Sequence, residues 1–178
     1  TEDARFYDHS GIDGRGTLRA VFSLGTNGGA STLTQQLAKQ LFHGEGSKFL
    51  PFRIVQKIKE WIIAIRLERQ YTKNEILAMY CNVYDFGHYS VGVSSAAQTY
   101  FSKDPKDLTM DESAILVGMF KNSGLYNPVR NPEGVKNRRN VVLSQMEKAK
   151  MITTAEKLRL QALPIALKFK LESHREGT

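Results

Sequence analysis

The chain has 178 residues, 41% hydrophobic and 24% charged, a balance that excludes a disordered or fibrous protein. Basic side chains outnumber acidic ones 25 to 18, and 11 of the basic against 5 of the acidic lie from Arg130 onward. That surplus suits nucleic acid, an anionic membrane surface or a phosphorylated ligand. No nucleic-acid motif is present and no aromatics interleave the basic tail, so no nucleic-acid partner is expected and most of the tail reads as a solvated helix face.

A chain this long buries well over half of its unfolded surface, so one compact core needs neither disulfide nor metal. Its single Cys81 permits no intrachain bridge. No apolar run reaches the ~18 to 20 residues of a membrane span. The opening Thr1-Glu2-Asp3, in place of a Met, leads us to expect a piece of a longer protein.

In chain order, the opening EDARFYDHSGID crowds Glu2, Asp3, Asp8, His9 and Asp13 around Phe6 and Tyr7. One His among scattered carboxylates lacks any metal-ligand spacing, so no metal site is expected there. Helices are predicted at about 16–24, 32–42, 53–70, 73–81, 93–101, 110–120, 132–149 and 154–161 from apolar residues at helical spacing. Capping boxes start four of them, at Thr32 with Gln35, Thr72 with Glu75, Thr109 with Glu112 and Thr153 with Glu156; Asn131 and Pro132 start another. Strand-like alternation is scarce, so the fold class is all-α. Loops are expected at Gly25 to Ala30, His43 to Phe52, Tyr84 to Ser90 and Asn122 to Asn131, and residues 164–178 as a linker after a 1–163 domain.

Two helices carry candidate chemistry. Helix 32–42 is expected to bury Leu33, Leu37, Leu41 and Phe42 and to turn Thr32, Gln35, Gln36 and Lys39 the other way. Amide, hydroxyl and ammonium groups on one face suit a sugar or diphosphate, since each sugar hydroxyl wants both a donor and an acceptor. The lead-in Gly28-Gly29-Ala30-Ser31 brings backbone N–H groups to the helix start, where an anion binds. In helix 53–70, Ile54, Ile58, Trp61, Ile62 and Ile65 form an apolar stripe, while Arg53, Lys57 and Glu60 share a different face. Taken alone, Lys57 and Glu60 read as a surface salt bridge worth a few tenths of a kcal/mol.

EDARFYDHSGID, GASTLTQQLAKQLF, KIKEWIIAIRLER, EILAMYCNVYDFG and RRNVVLSQM stand in this order and together resemble the successive motifs of the peptidoglycan glycosyltransferase domain, glycosyltransferase family 51, of bifunctional class A penicillin-binding proteins. The likeness runs from Glu2 to about Met146. It implies a lysozyme-like fold with a large helical lobe, a small membrane-facing lobe and a cleft between them. It also implies a membrane helix ahead of the first motif, a transpeptidase past the last, and work at the extracytoplasmic face of the bacterial cytoplasmic membrane.

The activity implied is polymerisation of lipid II, a lipid-linked disaccharide-peptide, into glycan strands. Glu2 is then the base and Glu60 the second acid, orienting the cations or assisting departure of the diphosphate. Lys39, Arg53, Lys57 and Lys59 receive the diphosphate, and Ser31, Thr32, Gln35, Gln36, Asp3, His9 and Asn82 complete the substrate site. No cofactor is tightly bound, with Mg²⁺ as an aid to the diphosphate. The growing strand, the membrane surface and phosphoglycolipid inhibitors of the moenomycin type are the further partners.

Three positions depart from the commoner pattern: Gln40 where Asn is usual, Gln56 where Arg is, and Cys81 where Leu is. Two rival classes remain. A lysozyme-like muramidase or lytic transglycosylase would lack GASTLTQQLAK and the cation-flanked Glu60. A non-catalytic peptidoglycan- or lipid-binding module would have lost one of the two glutamates.

Overall fold

The computed structural model describes residues 2–14, 31–42 and 50–170; the helix expected at 16–24 and the lead-in residues Gly28 to Ala30 lie outside them. Seven α-helices are described: α1 (Leu33–Phe42), α2 (Leu50–Gln70), α3 (Lys73–Val83), α4 (Gly92–Phe101), α5 (Met110–Met119), α6 (Pro132–Lys148) and α7 (Thr154–Ala162), with 3-10 turns at Phe6–Asp8 and Pro105–Asp107. Among the described residues there is no strand, only an isolated antiparallel bridge between Asp85 and Val91. The all-α expectation therefore holds. Helix α2 begins three residues earlier than expected, which moves Leu50, Pro51 and Phe52 from a loop into its first turn. Proline is at home there, because the N–H it lacks has no helical partner in a first turn.

Caps set the helix starts. The backbone N–H groups of Thr72, Thr109 and Thr153 donate to Glu75, Glu112 and Glu156 at 2.7, 2.8 and 2.9 Å, the return arm of each capping box. Asn131 accepts from the Gly134 N–H at 3.0 Å ahead of Pro132.

By its contacts the chain divides into two compact units, Glu2–Val83 and Tyr84–Thr178. In the first, α1 packs on both α2 and α3, burying Phe6, Leu33, Leu37, Ala38, Ala64, Leu67, Ile76 and Tyr80. In the second, Phe86, Ala96, Tyr100, Phe101, Ile115, Leu116, Met119 and Val135 form one core, with Tyr84 and Phe120 closing on Phe86 at ring separations of 5.0 and 5.2 Å. A second cluster joins Ala114, Val142, Leu143, Ile152 and Leu160.

Arg139, expected on a solvated basic face, is instead fully buried on α6 and donates to the Gln161 and Leu163 carbonyls at 3.1 and 2.9 Å. Helix ends leave such carbonyls without helical partners, and the planar guanidinium reaches two of them at once. The 164–178 stretch is tied down as far as Lys170: the N–H groups of Lys168 and Lys170 donate to Tyr100 and Thr99 at 3.0 and 2.8 Å, and Ile165 and Leu167 pack on the core.

Candidate functional site

Glu2 stands in a segment held at several points. Phe6 is buried in the 3-10 turn, and Gly11, at φ +89°, lies so close to α2 that a Cβ would stand 2.9 Å from the carbonyl carbon and oxygen of Ala64. Only glycine fits such an approach in that conformation. The Gly11 carbonyl then accepts from Thr32 Oγ1 at 2.7 Å and from Gln35 Nε2 at 3.2 Å. Asp3 Oδ2 accepts from the Leu33 N–H at 3.0 Å and lies 2.9 Å from His9 Nε2. Arg5 pairs with Asp13.

This corrects the polar face expected for α1. Thr32 and Gln35 are buried and bind the chain's own backbone, whereas Leu41 and Phe42, expected in the core, are exposed. The Thr32 box is half-built: the Gln35 N–H donates to Thr32 Oγ1 at 3.2 Å, but the Gln35 amide goes to Gly11 instead of returning. A carbonyl buried beside α2 needs donors more than a helix start that Asp3 already caps.

Helix α2 presents Glu60 inward. Glu60 is 7% exposed and shares the buried side with Ala64 and Leu67, at i+4 and i+7. Lys57 Nζ donates to Glu60 Oε2 at 2.8 Å and to Ser31 Oγ at 2.7 Å. The expected stripe is thus on the wrong side of the helix for a core: Ile54, Ile58 and Ile62 are about half exposed, as are Phe52 and Val55. The pair Lys57–Glu60 is correspondingly no surface bridge, since one partner is removed from water and depends on the other.

Ser31 and Leu33 are two residues apart, so Asp3 and Lys57 converge on one short stretch at the start of α1. That stretch brings the segment bearing Glu2 and the helix bearing Glu60 to the same place. Gln36 joins it, with Nε2 3.5 Å from the Ser31 carbonyl and Oε1 accepting from Tyr80 Oη at 3.0 Å. Arg53, Lys39, Lys59 and Asn82 are exposed, Asn82 on the last turn of α3. Glu2 is half-buried.

Sequence reading missed Tyr80, Thr34, Glu68 and Lys73. Tyr80 is buried at i+4 from the buried Ile76, and a tyrosine in an apolar register signals a hydroxyl that needs a partner. Thr34 Oγ1 donates to Glu68 Oε1 at 2.5 Å, and Lys73 Nζ donates to Glu68 at 2.8 Å and to the His9 carbonyl at 2.5 Å. Nothing in the spacing of these three announces their meeting.

Residues 1–147 match the protein family described as Transglycosylase. The chain is 43% identical over 173 residues to penicillin-binding protein 1A of Vibrio cholerae, covering 95% of this chain and 20% of that protein. It is 40% identical over 176 residues to penicillin-binding protein 1F of Bacillus subtilis, covering 97% and 24%. The crystal structure of penicillin-binding protein 1A from Haemophilus influenzae aligns over 78% of this chain and 17% of its own, with 31% identity and a TM-score of 0.49. The chain spans about a fifth of the length of these relatives.

Proposed function

We propose that this chain, which belongs to the transglycosylase family, is a peptidoglycan glycosyltransferase that polymerises lipid II into glycan strands. The observation that carries the proposal is the convergence of Asp3 and Lys57 on Ser31 to Leu33. It gathers the segment bearing a carboxylate base for the acceptor and a fixed cation for the leaving group around one helix start.

In the reaction Glu2 removes the proton of the 4-hydroxyl of an N-acetylglucosamine on the incoming lipid II. The oxygen bonds to the anomeric carbon of the growing strand as the bond from that carbon to the diphosphate oxygen breaks. The electron pair leaves on undecaprenyl diphosphate, and the single displacement inverts the anomeric centre. A positioned base contributes on the order of 10² to 10⁴ in rate.

The leaving group carries its own charge and needs neutralising more than protonating. Lys57 is the cation fixed in place, held by Glu60 and Ser31; Arg53, Lys59 and Lys39 are exposed and free to swing to the diphosphate. Glu60 serves as the orienting acid. Thr32 and Gln35 act through the backbone of Gly11, and Gln36, Asn82 and the Asp3–His9 pair line the sugar side. Among the described residues no three His, Cys, Asp or Glu side chains gather to hold a metal. Mg²⁺ is proposed as a counter-ion of the diphosphate.

The lipid of such a substrate stays in the bilayer, so its enzyme must meet the membrane surface. The exposed Phe52, Val55, Ile58 and Ile62, bordered by Lys59 and Arg66, supply an apolar face with basic neighbours. No helix among the described residues is long and apolar enough to cross a membrane. We assign the work to the extracytoplasmic face of the cytoplasmic membrane, with moenomycin-type phosphoglycolipids as competitors at the diphosphate site.

The test is to incubate the chain separately with lipid II and with preformed, uncrosslinked glycan strands. Long strands from the first and no shortening of the second are expected, and Glu2→Gln is expected to abolish the polymer without lowering the melting temperature. Shortened strands with no polymer made would overturn the proposal in favour of a muramidase.

A further inference from the structure

The geometry points to Thr34, Glu68 and Lys73 as positioning residues for Glu2, joined with Asp3 and His9 in a closed ring of hydrogen bonds. The inference rests on the polymerase reading and deepens it. The ring runs from Asp3 Oδ2 to His9 Nε2 at 2.9 Å, from the His9 carbonyl to Lys73 Nζ at 2.5 Å, and from Lys73 to Glu68 at 2.8 Å. Glu68 Oε1 then accepts from Thr34 Oγ1 at 2.5 Å. Thr34 follows Leu33, whose N–H donates back to Asp3 Oδ2 at 3.0 Å.

The members come from four elements. Lys73 opens α3, Glu68 lies in the last turn of α2, Thr34 in the first turn of α1, and Asp3 and His9 in the opening segment. The Lys73 ammonium also sits 4.4 Å over the Phe6 ring, so its three donors and its charge are spent on the opening segment and on Glu68.

The ring is largely out of water: the side chains of Glu68, Asp3 and His9 are 5%, 5% and 8% exposed, and Thr34 is buried. Low local dielectric strengthens such bonds and makes a broken one costly. A pair that served stability alone would be replaceable by apolar residues. This one closes on Asp3, whose Cα is one peptide, ~3.8 Å, from that of Glu2. A displacement of ~1 Å at a reacting group can cost on the order of 10²-fold in rate. The ring thereby fixes where the base stands, a task that no side chain in the segment performs alone.

Thr34→Val removes the bond to Glu68, Lys73→Met removes those to Glu68 and to the His9 carbonyl, Glu68→Gln removes the charge that Thr34 and Lys73 both meet, and Thr34→Ser keeps the hydroxyl. The measurements are kcat and KM with lipid II, affinity for a fluorescent moenomycin-type phosphoglycolipid, and amide exchange at Phe6 and Asp8, whose N–H groups bond within the opening segment. We expect kcat to fall by about 10- to 100-fold with KM and inhibitor affinity unchanged, faster exchange at Phe6 and Asp8 but not in α5 or α6, and recovery in Thr34→Ser. Wild-type kcat in all three variants would overturn the inference. So would parallel loss of kcat, inhibitor affinity and exchange protection throughout the chain, the signature of a purely structural ring. A wild-type chain that makes no polymer would sink the polymerase reading instead; the ring is then judged by exchange alone, and unchanged exchange at Phe6 and Asp8 would overturn it.

Discussion

Ile58 and Glu60, two positions apart on α2, stand about 200° apart around the helix axis, and it is the glutamate that is buried, at 7% exposure against 48% for the isoleucine. An amphipathic helix in water ordinarily arranges the reverse. Two forces reconcile the inversion. Glu60 is compensated by Lys57 at 2.8 Å, and Ala64 is small enough to let Gly11 pack against its backbone. The isoleucines are left for another apolar phase.

Replacing Ile58 and Ile62 together by Ser is therefore expected to leave the melting temperature nearly unchanged, because exposed substitutions shift stability by only about 0.5 kcal/mol. Binding to anionic vesicles is expected to drop at least about tenfold, since burying one such side chain in hydrocarbon contributes ~1.5 to 3 kcal/mol. Vesicle sedimentation measures it. Equal binding by the double variant would show that this face does not meet the membrane.

Lys57→Met strips Glu60 of its ammonium partner while the carboxylate stays buried. A loss of roughly 1 to 3 kcal/mol in urea unfolding is expected, the cost of an unsatisfied buried group, moderated because Lys57 itself is partly in water. Adding Glu60→Gln should recover part of it, and the non-additivity of the double-mutant cycle reports the coupling. Phosphoglycolipid affinity should fall in the single and the double variant alike. A Lys57→Met chain that binds the inhibitor as wild type does would place the diphosphate elsewhere.

Gly11→Ala meets both a positive φ and the Ala64 carbonyl. The conformation alone costs about 1 to 2 kcal/mol in a residue with a Cβ, and the clash adds to it. Thermal unfolding should shift down accordingly, with polymerisation falling as the Thr32 and Gln35 ties to Gly11 loosen. An unshifted Gly11→Ala variant would mean that the opening segment does not depend on this contact.

Glu112 gives stability a dependence on acid. Burial pushes its carboxyl up, but the Lys103 ammonium and the Thr109 backbone N–H and hydroxyl outweigh that and hold it below the ordinary 4.5. A carboxyl depressed in the folded state adds stability that is fully present above its unfolded value and lost as pH falls through its folded value. Glu112→Gln should therefore be less stable than wild type at neutral pH, with the gap closing below about pH 4.5. Urea midpoints across that range check it. A gap that stays constant with pH would remove Glu112 from the acid response.

Local signals in the sequence determined the helices, since a threonine three residues before an acid, or an asparagine before a proline, specifies a helix start through bonds that span only a few residues. They also determined family membership, because five ordered motifs survive reading as a string. Which side of a helix faces inward was decided only by tertiary structure. Hydrophobicity predicts the buried side when water is the sole alternative. On α2 the choice was set instead by a glycine some fifty residues away, a paired glutamate and an exposed isoleucine face. On α1 the same applies: Thr32 and Gln35 are buried because the Gly11 carbonyl needs donors, a demand raised by a segment distant in sequence. The ring through Thr34, Glu68 and Lys73 was illegible for that reason as well, since its members come from four elements and only their packing brings a carboxylate, an ammonium and a backbone carbonyl within bonding distance.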